Sequence, residues 1–145
     1  MRLSHLLSSI ITEEVIGSDD IDISGITADS RQCSDGSLFV AVRGVNVDGH
    51  EYISQAVNNG ATAVVCEEIP LNVSKETTWI RVADSAIALG FIASQWFDNP
   101  SRKLTLVGVT GTNGKTTIAT LIYETARLFG KKAGLLSTVV NKIED

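Results

Sequence analysis

Leu3, Leu6, Leu7, Ile10 and Ile11 recur at the spacing of one helix face, which predicts an amphipathic helix at the start of the chain. Residues 21–24 (Ile-Asp-Ile-Ser) alternate between apolar and polar and predict a half-buried strand. Residues 38–42 (Leu-Phe-Val-Ala-Val) are apolar without a break, as a strand buried on both faces requires. Helical spacing returns over 50–59, with Ile53, Ala56 and Val57 on one side and Gly60 as the C-terminal stop. Further buried strands are predicted at 63–66 and 79–82, and Asp84 and Ser85 offer an N-cap to a helix from 86 to about 97. After Asn99-Pro100-Ser101 a second unit begins, with a strand over 104–109, a glycine-bearing loop over 110–115, a helix over 116–129 stopped by Gly130, and a strand starting at 133–136. Strands alternating with helices predict an α/β architecture with largely parallel sheets.

Composition narrows the classes. The 145 residues are 43% hydrophobic and 20% charged with only 2 Pro, which excludes a disordered or collagen-like chain. With 12 Lys+Arg against 17 Asp+Glu the net charge is -5, a poor balance for a duplex nucleic acid or an anionic membrane, because phosphate backbones reward Lys and Arg. No apolar run approaches the roughly 18 residues a bilayer span needs, and the N-terminal stripe is broken by Ser4, His5, Ser8 and Ser9 with no small-residue cleavage site after it. The expectation is a cytoplasmic protein. Cys33 and Cys66 form no CxxC pair and do not cluster with His5 or His50, so both are expected as reduced thiols, Cys66 as a small buried side chain in a strand. His50 is expected to open a helix and not to act as a base.

The most specific feature is Gly111-Thr112-Asn113-Gly114-Lys115-Thr116-Thr117, between a predicted strand and a predicted helix. Glycines there let backbone N–H groups turn inward toward a polyphosphate, and the helix N-terminus adds partial positive charge. Lys115 is the candidate contact for the β- and γ-phosphates, and the Thr116 hydroxyl the candidate Mg²⁺ ligand. The strict phosphate-loop spacing places a glycine at 109; this chain has Val109, flanked by Gly108 and Gly111. Only Glu124, Glu144 and Asp145 follow Thr117 as acidic groups. One helix and about two strands cannot bury a sheet on both faces. The chain is therefore expected to be the front piece of a longer enzyme, binding ATP weakly and catalysing nothing alone.

The stretch 108–117 (Gly-Val-Thr-Gly-Thr-Asn-Gly-Lys-Thr-Thr) resembles the ATP loop of the Mur ligases, the ATP-dependent amino-acid ligases of peptidoglycan synthesis, a family that departs from the strict spacing in the same way. Upstream, 27–31 (Thr-Ala-Asp-Ser-Arg), 36–44, 48–53 (Asp-Gly-His-Glu-Tyr-Ile) and 59–61 resemble the family's N-terminal UDP-sugar domain. Thr110-Gly111-Thr112, Pro100-Ser101 and 134–138 resemble the branch that adds the third residue of the stem peptide.

The resemblance, which covers essentially the whole chain, implies a small α/β domain over 1–100 that binds UDP-MurNAc, then over 101–145 the incomplete start of a parallel-sheet, P-loop ATP-binding domain. It implies UDP-substrate contacts at Ala28, Ser30, Val45, Asn46 and Val47, and ATP contacts at Gly111, Thr112, Asn113, Gly114, Lys115, Thr116 and Thr117, with Lys115 catalytic. Thr138 is implied, less directly, on the muramoyl-peptide side. Arg31 is left open between a phosphate and a carboxylate at Asp29 or Asp35. The implied reaction joins a diamino acid to UDP-MurNAc-L-Ala-D-Glu through an acyl phosphate, with ATP and Mg²⁺, by a monomer that needs neither nucleic acid nor membrane. The D-Ala-D-Ala-adding branch and a non-enzymatic nucleotide-sugar binding module stay open beside it.

Overall fold

Ser37–Val40 (β3), Ala61–Cys66 (β4) and Thr78–Arg81 (β5) carry the apolar runs and make the middle of a five-stranded sheet. Gly25–Thr27 (β2) pairs parallel with β3, and Glu14–Ile16 (β1) closes the other edge antiparallel to β5, giving the order β1-β5-β4-β3-β2. The computed structural model describes residues 1–44, 47–72 and 74–143 and separates into two units, Met1–Lys103 and Leu104–Asp145.

The first unit is an α/β mixed sheet covered on both faces. Successive strand residues point to opposite sides, so Leu38, Val40, Ala63, Val65, Ile80 and Val82 face one layer and Phe39, Ala41, Val64, Cys66 and Trp79 the other. The first layer is sealed by Leu3–Leu7 (α1) and Ser85–Trp96 (α3), through Leu3, Leu6, Leu7, Ala88 and Ile92. The second is sealed by Ile53–Asn58 (α2), through Ile53 and Ala56. The register Phe39↔Val64↔Trp79 and Val40↔Val65↔Ile80 lines up equivalent side chains across three strands. Each such buried side chain contributes about 1.5–3 kcal/mol relative to exposure. Asp84 caps α3 as its sequence position predicts, its carboxylate accepting the Ile87 N–H at 2.8 Å. Cys33 and Cys66 are both buried free thiols.

Three departures from the sequence pattern have physical causes. The first helix stops at Leu7, because the Ser8 and Ser9 hydroxyls donate to the His5 and Leu6 carbonyls at 2.7 Å each. Residues 21–24 are not a sheet strand. Their backbone instead meets the chain start, with Ile23 N–H donating to Met1 O at 2.7 Å, and the ladder begins only where Gly25 comes opposite Ser37. Strand β1 escapes prediction because its three residues are all exposed and leave no alternation to read.

The second unit holds a helix, Lys115–Leu128 (α4), and an antiparallel pair, Gly134–Leu136 (β6) and Asn141–Ile143 (β7). The strand expected over 104–109 is not formed: no described segment pairs with it, and Leu104, Leu106 and Val107 are 64%, 71% and 62% exposed. The parallel sheet expected here is likewise absent from the described residues, whose only ladder in this unit is the β6–β7 hairpin. Tyr123 and Leu135 are the unit's only buried residues among those described. No helix among the described residues is long and apolar enough to cross a membrane.

The two units should therefore respond unequally to truncation. Ile80→Ala, at a fully buried central position, should cost about 2–5 kcal/mol in urea unfolding followed by tryptophan fluorescence. Ile118→Ala, 48% exposed, should shift the same transition by under about 0.5 kcal/mol.

Candidate functional site

Strands β2 to β5 run parallel, so the loops that follow them leave from one edge of the sheet, where ligands of open α/β sheets bind. At that edge the segments after β2 and β3 part around a cleft of about 530 Å³. Ala28, Asp29, Ser30 and Arg31 form one wall; Val42, Val47 and Gly49 form another; Tyr52 and Gln55 close it from the turn into α2 and from α2 itself. Of the residues expected to touch a UDP-substrate, Ala28, Ser30 and Val47 thus line one cleft. Val45 and Asn46 lie outside the described residues.

Ser30 is buried at the start of a 3-10 turn, Ser30–Gln32. Its hydroxyl donates to Gln55 Oε1 at 2.8 Å, and its carbonyl accepts from Asn59 Nδ2 at 2.9 Å. The hydroxyl oxygen keeps acceptor capacity toward the cleft. Arg31 pairs with Asp29 in a two-point fork, Nε to Oδ1 at 2.9 Å and Nη2 to Oδ2 at 2.8 Å. That fork, with the Arg31 N–H on the same carboxylate, draws the Asp29 pKa down to about 2. Asp35 takes no part in it.

Beyond the cleft wall lies a polar network. Arg43, at the exit of β3, reaches Asp48 Oδ2 at 3.1 Å, Glu67 Oε2 at 3.3 Å and Glu68 Oε1 at 3.1 Å. Glu67, at the exit of β4, accepts the Ser85 N–H and hydroxyl at 3.1 and 2.9 Å, and these bonds lower its pKa. Asp48 caps a 3-10 turn, Gly49–Tyr52, and the His50 backbone N–H, then the His50 ring, hold its pKa down near about 2. His50 does open a helical turn, as expected. Its ring is also engaged on both sides, Nδ1 at 2.7 Å from Asp48 Oδ1 and Nε2 accepting the Glu67 N–H at 2.9 Å. Gly49 is required where it stands, since a Cβ there would lie 2.6 Å from Val42 O and 2.7 Å from Val42 N.

In the second unit, residues 111–117 bend sharply, Gly111 at φ 146° and Gly114 at φ 78°, the latter as the N-cap of α4. Lys115, Thr116 and Thr117 open that helix. The Lys115 ammonium is exposed, turns back on the Gly111 carbonyl and the Thr112 carbonyl at 3.3 Å, and makes no ion pair among the described residues. Thr112 and Asn113 lie in the exposed bend between the two glycines, and Thr138 is exposed in the turn between β6 and β7. Among the described residues no group of three or more His, Cys, Asp or Glu stands together to hold a metal.

Sequence reasoning missed Tyr52 and Gln55. Tyr52 carried a signal, an aromatic placed just after the turn-forming pair Asp48-Gly49. Gln55 carried none, since only the fold brings it to Ser30.

A family profile described as "Mur ligase family, catalytic domain" matches residues 22–97. The UDP-N-acetylmuramoyl-L-alanyl-D-glutamate--2,6-diaminopimelate ligase of Bacteroides fragilis is 54% identical over 145 residues, all of this chain and 30% of the relative. The second such ligase of Clostridium acetobutylicum is 37% identical over the same span and share. Among solved structures, MurF from Acinetobacter baumannii superimposes with a TM-score of 0.62 at 26% identity, covering 88% of this chain and 28% of that one. A UDP-N-acetylmuramoyl-L-alanyl-D-glutamate--2,6-diaminopimelate ligase gives 0.61 at 27% identity, covering 83% and 25%. The chain thus spans about 30% of the length of these curated relatives.

The Asp29–Arg31 fork is directly measurable. In a carboxylate NMR titration Asp29 should titrate near about 2, and Arg31→Ala should return it toward the ordinary value of about 3.9. Because the folded value lies below the unfolded one, the pair's contribution to stability is present above the unfolded pKa and fades as pH falls through the folded one. An Asp29 midpoint that Arg31→Ala leaves unmoved would show the fork to be unimportant in solution.

Proposed function

The chain belongs to the Mur ligase family, and from that premise we propose that it is part of an ATP-dependent ligase that adds 2,6-diaminopimelate, the third stem-peptide residue, to UDP-MurNAc-L-Ala-D-Glu in the cytoplasm. The observation that carries the proposal is identity of 54% along the whole chain to a ligase of that name, joined to a cleft that gathers three of the expected substrate residues. The D-Ala-D-Ala-adding branch is less favoured, because relatives 54% and 37% identical along the whole chain are both diaminopimelate ligases, while solved structures of the two branches are alike in similarity, at 26% and 27% identity.

In this reading residues 1–100 hold the UDP end of the substrate, through Ala28, Ser30 and the 45–47 segment, and residues 101–145 begin the ATP-binding domain. A uracil edge needs paired donors and acceptors. The Ser30 hydroxyl and loop backbone groups are of that kind, and the apolar Ala28 and Val47 suit the ring faces. Residues 111–117 cradle the polyphosphate of ATP, and the Lys115 ammonium, turned over its own loop with no ion pair among the described residues, supports that role. Mg²⁺, when bound, neutralises phosphate charge. Of the described residues, the Thr116 hydroxyl in the first turn of α4 would hold such an ion together with phosphate oxygens.

The D-Glu γ-carboxylate oxygen attacks the γ-phosphorus and ADP leaves. The diaminopimelate amine then attacks the acyl carbon, phosphate leaves, and the nitrogen gives up a proton. This chain's residues contribute alignment and charge, which is most of what phosphoryl transfer asks of a protein. The UDP group is remote from the reacting atoms, so its binding energy positions the carboxylate.

In the full-length ligase, Lys115→Ala should lower kcat by at least about 10³-fold in a phosphate-release assay while UDP-substrate binding stays near wild type; near-normal turnover would overturn the assignment. Ser30→Ala should raise KM for the UDP-substrate several-fold and leave KM for ATP unchanged, and equal effects on both would count against the cleft as the nucleotide site.

A further inference from the structure

Val47 and Gly49 stand in the outer wall of the cleft, and Arg43, Gly44 and Asp48 flank them in the chain. Gly44 N–H meets Val47 O, and Gly49 N–H meets Val42 O, both at 2.9 Å. Arg43 and Asp48, at the two ends of the loop, are tied to each other at 3.1 Å. All of these are local. Two links carry the segment to β4. The first is Arg43 to Glu67 and Glu68, with the guanidinium half exposed and screened by solvent. The second is the His50 ring, 13% exposed, which accepts the Glu67 backbone N–H.

That second bond fixes a tautomer. A backbone N–H is always a donor, so the Nε2 facing it at 2.9 Å must present its lone pair. The ring proton then lies on Nδ1 and is donated to Asp48 Oδ1 at 2.7 Å. Asp48 Oδ1 also accepts the His50 N–H at 2.9 Å, so ring and turn share one carboxylate oxygen. The charged groups around the ring are Asp48 on its own turn, Glu67 at the exit of β4, and Arg43, which reaches both, at the exit of β3. A proton placed at Nε2 would set N–H against N–H and break this link to the Glu67 backbone.

We infer that His50, as the neutral Nδ1–H tautomer, is a positioning residue that holds the cleft wall at Val47 and Gly49 against the exit of β4 and so sets affinity for the nucleoside end of the substrate. The inference rests on the nucleotide reading of the cleft given above. His50 touches no reacting atom in this role and acts through Asp48 and the Glu67 backbone.

The test uses the 145-residue chain, with UDP as the probe in calorimetric titration and ¹⁵N NMR for the ring. At pH 7.5 the His50 nitrogens should show a protonated Nδ1 and an unprotonated Nε2, and the Glu67 amide should exchange slowly. His50→Asn keeps a donor for Asp48 but removes the acceptor for Glu67 N–H, and should weaken UDP binding roughly tenfold. His50→Gln, whose side-chain oxygen reaches the Nε2 position, should recover most of that loss. In the full-length ligase, His50→Asn should raise KM for the UDP-substrate by a similar factor with kcat and KM for ATP unchanged, a split that general destabilisation would not give. An Nε2–H tautomer or an imidazolium at pH 7.5 overturns the inference even if no variant folds. Wild-type affinity in His50→Asn overturns it while leaving the nucleotide reading intact. A wild-type chain that ignores UDP overturns the nucleotide reading, and this role with it.

Discussion

Two layers of side chains have to be sealed at once by the same three strands. Leu38, Val40, Val65 and Ile80 need α1 and α3, while Phe39, Val64, Cys66 and Trp79 need α2. A slip of one residue in any of these strands would exchange the layers and send every side chain to the wrong partner. Register is therefore pinned from both faces, and the points where β3, β4 and β5 release the chain are pinned with it. The cleft is a consequence. Its walls are loops rooted in strand ends whose register is fixed from both faces, the arrangement by which a rigid scaffold positions irregular segments.

The polar groups at that edge do a different kind of work. Arg43, Asp48, Glu67 and Glu68 are partly exposed, so each pair taken alone adds little to stability. Their value is directional. Glu67 is bound at once to the start of α3, through Ser85, and to Arg43 at the end of β3. Three successive exits from the sheet thus share one carboxylate. The depressed pKa values of Asp48 and Glu67 express the same fact, for each carboxylate is surrounded by donors. Burial has the opposite sign on Cys66, whose thiol is pushed up to about 11 and left inert within β4.

Much of this was legible in the residues. The runs at 38–42, 63–66 and 79–82 announced the central strands, because full burial leaves an unbroken apolar signature. Asp84 announced the start of α3, and the glycines at 111 and 114 announced a bend into a helix. Failures cluster where structure depends on a neighbour and not on the segment itself. Residues 104–109 have the composition of a strand but no partner among the described residues, and β1 is a strand solely because β5 lies beside it. The cleft shows the same division. Ala28, Ser30 and Val47 came from motif resemblance, whereas Gln55, 25 positions from Ser30, could be found only once the chain had folded. His50 was visible as a helix opener, but its bond to the Glu67 backbone, 17 residues away, was not.

Net charge also misleads about what such a chain can hold. At -5 the chain repels anions on average, yet the proposed ligands are a diphosphate ester and a triphosphate. The conflict dissolves at short range. Under physiological salt the mean field fades over about 8 Å, while a hydrogen bond to a phosphate oxygen acts at about 2.9 Å. Acidic residues are moreover not spread at random. Asp29 is held by Arg31, Asp48 and Glu67 by Arg43, and Glu124 by Lys142, so much of the acidity is neutralised locally. Lys115, by contrast, rests on carbonyls of its own loop and pairs with no carboxylate among the described residues. A cation outside the ion pairs of the described residues can trade its carbonyl contacts for phosphate oxygens without stranding a buried charge, so the proposed phosphate role of one lysine at a bend of backbone does not conflict with an acidic overall composition.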